Sequence, residues 1–225
     1  MKYKTFSLMM ILALVSSLCV IMAIPSTAGA DVQTPSVSVS PSTAGSTAQW
    51  AISFSPSSTG TLTAGDTVTI EFPSAVTVPT SIDYRNVWIN TSGTSTKVNP
   101  PAAGVGVSGQ QVTVTIPTGG YGVDSSGTMT ITISQVAGIK NPNISSHAGD
   151  GTAYYVKVNT SQESTQVTSS AITINDWVTA SPMSLAYMSP TTVKAYGFKP
   201  GSTIFTTSTS GASGSGTVGS DGTAT

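Results

Sequence analysis

The amino-acid sequence predicts an all-β fold, an antiparallel two-sheet sandwich followed by part of a second β-sandwich. Three observations carry that prediction. Trp50, Ile52 and Phe54 alternate with Ala51 and Ser53, and Val68, Ile70 and Phe72 alternate with Thr69 and Glu71, a period of two that marks half-buried strands. Between them, Ser55-Pro56-Ser57-Ser58-Thr59-Gly60 and Ala64-Gly65-Asp66 supply the proline, glycine and aspartate that turns use. The same plan recurs in about nine strand candidates, and no stretch shows an amphipathic helical period.

The first thirty residues read as a targeting segment, with Lys2 and Lys4 as its positive start and Leu8 to Ile24 as its apolar run. Ala28-Gly29-Ala30 places small residues at −3 and −1, so cleavage is expected after Ala30 and the exported chain begins at Asp31. An uncleaved segment would be the one route to a membrane, because its apolar run approaches the length of a spanning helix. The sole cysteine, Cys19, lies inside this segment, so the exported form has no disulfide and no cysteine metal site. Lipidation of Cys19 is a rival reading, weakened by the large Leu18 before it.

Removing Lys2 and Lys4 leaves six basic against nine acidic residues, a net charge of −3. Charged residues make up 8% of the chain, while serine and threonine supply about a third, so solubility rests on hydroxyl groups. Arg85 is the only arginine, and a phosphate backbone would find almost nothing to neutralise it. Nucleic acid is therefore excluded as a partner.

Taken in order, the exported chain opens with a short strand around Val37 and Val39, followed by the two organising strands. Ala75 to Val78 reads as a further edge strand, bracketed by Pro73 and Pro79, since proline cannot donate to a ladder. In Tyr84 to Asn90 both faces of the strand carry apolar residues, with Tyr84, Asn86, Trp88 and Asn90 on one and Val87 and Ile89 on the other. The connection from Thr91 to Gly109 is rich in glycine, proline, serine and threonine, and long enough to be a functional or poorly ordered loop. Alternation returns in Val112, Val114 and Ile116, then in Met129, Ile131 and Ile133, then in Tyr154, Val156 and Val158, and ends with Ile172 and Ile174.

Leu62-Thr63-Ala64-Gly65-Asp66-Thr67-Val68-Thr69-Ile70-Glu71-Phe72-Pro73, with Ala137-Gly138-Ile139-Lys140-Asn141-Pro142, resembles the immunoglobulin-like repeats of large bacterial and archaeal cell-surface and S-layer-type proteins. The resemblance spans roughly Val37 to Ile174, one repeat, and implies an antiparallel immunoglobulin-like β-sandwich. It brings no catalytic residue with it. It implies display and spacing on an envelope protein, with neighbouring modules of the same or other envelope proteins as partners.

The organisation expected is a signal peptide over 1–30, the immunoglobulin-like sandwich over 31–174, a linker over 175–182 and an incomplete second sandwich over 183–225. In the last part, Val193 to Phe198 and Ser202 to Thr207 read as strands around the turn Lys199-Pro200-Gly201. Met183, Leu185 and Tyr187 would join them as apolar residues short of a covering sheet, because such a domain needs about 100 residues. The segment is expected to be the opening half of a domain whose remaining strands follow Thr225. The tail from Ser208 reads as a linker or as weak strands.

No catalytic residue, cofactor or metal site is expected. His147 stands near Ser145, Ser146 and Asp150, yet triads depend on spatial roles and no Gly-x-Ser-x-Gly elbow occurs, so it reads as an exposed loop histidine. No Gly-Lys pair exists for a phosphate loop. Asp66, Asp124, Asp150, Asp176 and Asp221 fall at turns rather than in a calcium-loop spacing; calcium between loops at Asp176 is the remaining alternative. Asn90, Asn143 and Asn159 head sequons and are candidate glycan acceptors, although so hydroxyl-rich a chain produces such matches by chance.

The candidate carbohydrate face is Tyr84, Asn86, Trp88 and Asn90. On one strand the two rings would stand about 14 Å apart with an amide between them, a spacing that suits a sugar chain. The bland alternative is that Trp88 packs between the sheets. Function is thus expected to be that of a non-enzymatic extracellular structural or adhesive module. The alternative is a carbohydrate-binding accessory region of a secreted polysaccharide-active enzyme, with cell-wall or extracellular polysaccharide as partner; exposure of Trp88 separates the two.

Overall fold

The computed structural model of the chain describes residues 31–145, 153–181, 192–207 and 213–225. The expected targeting segment, His147, Asp150, Met183, Leu185 and Tyr187 lie outside the described residues. The first unit contains β1 (Ser36–Ser40), β2 (Gln49–Phe54), β3 (Thr67–Glu71), β4 (Val87–Thr91), β5 (Val105–Ser108), β6 (Gln111–Thr115), β7 (Met129–Ile133), β8 (Lys157–Thr160) and β9 (Val167–Thr168). Its strands form two antiparallel sheets, ordered β1-β2-β7-β4 and β5-β6-β3-β8-β9.

The register follows the alternation of the sequence. Trp50, Ile52 and Phe54 stand opposite Ile133, Ile131 and Met129, and Val87 and Ile89 face Ile133 and Ile131 from the other side of β7. In the second sheet Ile70 lies between Val112 and Val158. A one-residue slip in any pair would turn these residues to solvent, so burial itself holds the register. Side chains of both sheets meet in one core, and the alternating apolar residues Trp50, Ile52, Phe54, Val68, Ile70, Phe72, Val112, Val114, Ile116, Met129, Ile131 and Ile133, which the period of two predicts to share it, are at most 3% exposed. The fold is an all-β antiparallel sandwich.

Several expected boundaries differ. Ala75 to Val78 is a turn with one isolated bridge rather than a strand: Val76 N–H donates to Pro73 O, the Gln110 amide donates to the carbonyls of Pro73 and Val76, and Thr77 alone exchanges a pair of backbone bonds with Lys140. Tyr84–Asn86 is a short 3-10 turn, because Asp83 Oδ1 accepts from Arg85 N–H at 2.9 Å and curls the chain before β4 begins. Tyr154 makes only an isolated bridge to Ile172, and the strand begins at Lys157. Val105-Gly106-Val107-Ser108, inside the expected long loop, pairs with β6 through a two-residue turn in which Gly109 has φ +57°.

The second unit has β10 (Trp177–Ser181), β11 (Thr192–Tyr196), β12 (Thr203–Thr207), β13 (Ser213–Thr217) and β14 (Thr223–Ala224). Residues 177–181 of the expected linker are therefore a strand, paired with β11 over five positions, and the hydroxyl-rich tail supplies β13 and β14. Linker composition and β-ladder membership are compatible here because Trp177 stacks on Tyr196, ring centroids 4.3 Å apart. Among the described residues the buried part of this unit comprises Ala195, Val218 and Ala224, with Phe198 and Ile204 packed against them. Gly214 and Gly216 stand opposite Thr206 and Ile204 and offer no side chains, which leaves a groove of about 310 Å³ between its sheets. Phe205 is 77% exposed.

The two units meet through backbone. Ile144 bridges Gly197 in parallel, and Ser145 donates to Gly197 O from both N–H, at 2.7 Å, and Oγ, at 2.6 Å. Tyr154 Oη braces the same segment by donating to Ile144 O at 2.9 Å. Gly197 has φ +86°, and a Cβ there would stand 2.8 Å from Ala44 Cβ and 3.0 Å from Asp176 Cα. Only glycine combines that backbone with that approach.

Candidate ligand-binding faces

On the outward face of the β1-β2-β7-β4 sheet, Trp88 is half-buried and Thr132, between its cross-strand neighbours Ala51 and Trp88, is buried. Around them the face carries short hydroxyls, including a Ser53 Oγ to Thr130 Oγ1 contact of 2.8 Å. The expected aromatic pair does not form on one strand. Tyr84 sits in the 3-10 turn, where the Arg85 guanidinium lies 5.1 Å from its ring centroid, so the 14 Å spacing argued from ~3.4 Å per residue does not apply. Asn86 belongs to the same turn, and its carbonyl accepts from Ser134 N–H. Of the four residues, only Trp88 and Asn90 share the face of β4. The indole is neither fully exposed nor packed between the sheets.

Asn90 is half-buried and its Oδ1 accepts from Thr94 Oγ1 at 3.3 Å. Asn143 is exposed beside the unit junction, and Asn159 is half-buried on the outward face of β8. The aspartates shape turns. Asp66 accepts from Thr63 N–H and Oγ1 with one oxygen and from Ser161 and Gln162 with the other. Burial pushes its carboxyl up, but the hydrogen bonds from Gln162, Thr63 and Ser161 outweigh that and hold it below the usual value. Asp124 with Ser126, and Asp221 with Thr223, repeat the device on exposed turns, the latter leading into β14. Among the described residues no group of three or more His, Cys, Asp or Glu side chains is placed to hold a metal.

The outward face of the other sheet has a different character. Glu71, in register with Gln111 on β6 and Lys157 on β8, accepts from Lys157 Nζ at 3.1 Å on Oε1, and from Gln111 Nε2 at 3.1 Å and Gln166 Nε2 at 2.8 Å on Oε2. Sequence reading had no access to this cluster, because its members lie 40 to 95 residues apart. Beside it Tyr155, 43% exposed, and Ser74 line an open groove of about 400 Å³ with Glu71 and Lys157.

These hydrogen bonds, led by that from Gln166, hold the Glu71 carboxyl down to about 2 from an ordinary 4.5. A depressed folded value means that the contribution of Glu71 to stability is complete above the unfolded value, near pH 4.5, and is lost as pH falls toward about 2. Asp66 acts in the same direction, so the difference between proteins is the readout. Glu71→Gln is expected to be less stable than wild type at neutral pH, with the two converging near pH 2. Urea titrations across that range check it; a constant difference would disprove the assignment.

A buried carboxylate lies elsewhere. Glu163, 4% exposed, accepts from Ser57 N–H at 3.0 Å and covers Gly60, where a Cβ would stand too close to its Cδ for any side chain to fit without moving it. It ties the β2–β3 loop to the β8–β9 loop, a structural role that its second oxygen, without a hydrogen-bond partner, does not extend.

No family model matches the chain, and no curated protein matches it. Among solved structures, the collagen-binding domain from a Staphylococcus aureus adhesin is similar at 13% identity, over 62% of this chain and 92% of that one, with a TM-score of 0.31. A likeness at that level assigns no ligand.

Proposed function

We propose that the protein is a non-enzymatic structural and adhesive module displayed outside the cell on an envelope, of the S-layer type that its sequence resembles, and that it acts by position and by contact with neighbouring modules. The observation that carries this reading is the junction. Two β units follow one another in the chain, and the second is held to the first by paired hydrogen bonds from Ser145 to Gly197 O. Backbone bonds buried at a joint resist bending more than a free linker does, as a spacer in series requires. The hydroxyl-rich, weakly charged surface and a core that needs no disulfide suit the same role.

Intact cells producing the protein should bind antibody raised against the 31–174 sandwich, and external protease should remove that label without lysis. Labelling only after permeabilisation would sink the proposal. The second reading, an accessory carbohydrate-binding region, draws on the half-exposed indole of Trp88.

A further inference from the structure

We propose that the outward face of the β5-β6-β3-β8-β9 sheet, at Glu71, Gln111, Lys157, Gln166 and Tyr155, binds a neutral polysaccharide chain. The proposal deepens the surface-module reading, and rests on it only in that an extracellular sugar must reach the face.

The two outward faces of the sandwich are not equivalent. One carries mainly serine and threonine hydroxyls, which reach little beyond the backbone. On the other, a carboxylate, a carboxamide and an ammonium group from three strands converge with a second carboxamide from the loop before β9. In a chain with 8% charged residues this is a concentration of long polar side chains. Their mutual hydrogen bonds fix them without exhausting them. Glu71 accepts three bonds where a carboxylate offers about four sites, Lys157 Nζ has donors to spare, and each glutamine keeps its carbonyl oxygen and a second N–H proton. Groups already held in place lose little further freedom when a ligand joins them.

Sugar hydroxyls are donors and acceptors at once, and adjacent pairs of them match planar carboxylates and carboxamides. The face also offers a ring: Tyr155 is 43% exposed and shares the outward side of its segment with Lys157, about 7 Å away along the strand direction. A pyranose whose apolar face lies on that phenol would direct its hydroxyls toward Lys157, Glu71 and Ser74 along the groove. The ion pair of Glu71 with Lys157 leaves the cluster without net charge, which favours a neutral chain over an acidic one. An open groove of about 400 Å³ accepts a chain lying across it and suits avidity from repeated weak contacts.

The test is affinity electrophoresis of the purified protein in gels containing xylan, mannan or hydroxyethylcellulose. Retardation by at least one of these is expected. Tyr155→Ala should weaken retention about tenfold at unchanged melting temperature, Gln166→Ala should weaken it about tenfold in a protein that stays folded though somewhat less stable at neutral pH, Tyr155→Phe should retain it because the ring remains, and Trp88→Ala should leave it unaltered. Loss in Trp88→Ala alone would overturn the proposal in favour of the opposite face. Retention only by polygalacturonate, abolished by salt, would overturn it by reducing Lys157 to a counter-charge, and no retention by any of the three neutral polymers would overturn it outright. Purified protein reads the site and cell labelling reads the location, so the two proposals fail separately.

Discussion

Trp50→Ala is expected to destabilise the sandwich by about 3 to 5 kcal/mol, and Ile70→Ala by about 2 to 5 kcal/mol. Both residues are fully buried, one in each sheet, so each truncation opens a cavity at the interface that joins the two. Trp50 also meets Phe72 edge to face, centroids 5.2 Å apart at 83°, a contact that bridges the sheets and is lost with the ring. Its indole N–H is buried without a hydrogen-bond partner, so Trp50→Phe removes a costly group along with part of the ring and should cost much less than Trp50→Ala. Urea denaturation monitored by far-UV circular dichroism measures all three. Because a chain with a single cysteine can form no internal disulfide to hold the unfolded state together, the loss should appear in full; a midpoint within error of wild type for Trp50→Ala would refute the single shared core.

Gly197→Ala is expected to cost about 2 to 4 kcal/mol, combining a methyl group forced into a packed contact with a left-handed backbone that alanine adopts reluctantly. The cost falls on the joint. The new Cβ meets Ala44 of the first unit and the Asp176 backbone, so relief requires Gly197 to withdraw and release Ser145 from its carbonyl. The first sandwich, whose core reaches this point at the small side chain of Ala44, should keep most of its melting transition while the second unit becomes sensitive to limited proteolysis between residues 174 and 197. One unchanged cooperative transition and an unchanged digestion pattern would show that the junction contributes nothing, and would remove the main support for a spacer.

Much of the fold was legible in the sequence because each long strand alternates against a single hydrophobic core. Trp50 to Phe54, Val68 to Phe72, Val112 to Ile116 and Met129 to Ile133 declare their period without reference to any partner. Short pieces did not. β5 carries only Val105 and Val107 and β9 spans two residues, so the ladder on the neighbouring strand makes them strands. At Ala75 to Val78 and Tyr84 to Asn86 apolar or alternating residues were present, yet Gln110 and Asp83 side chains bent the backbone into turns. Such local hydrogen bonds compete with pairing, and their outcome depends on groups that alternation does not weigh.

The candidate sites divide along the same line. Trp88 was visible because an aromatic residue stands out in a hydroxyl-rich strand, while the Glu71 cluster has no linear signature. Composition and period by themselves determined an all-β chain, the identity of core residues in its long strands, its low charge and its single cysteine, since each of these is a property of residue type or spacing. Only the tertiary structure decided that residues 177–181 form a strand, that Gly197 is a point of contact between two units, and that Glu71, Gln111, Lys157 and Gln166 share one polar network. The physical reason is that these depend on cross-strand register. Pairing brings residues 40 to 95 positions apart within hydrogen-bond reach, and that register is held by the burial of the opposite, apolar side of the same strands.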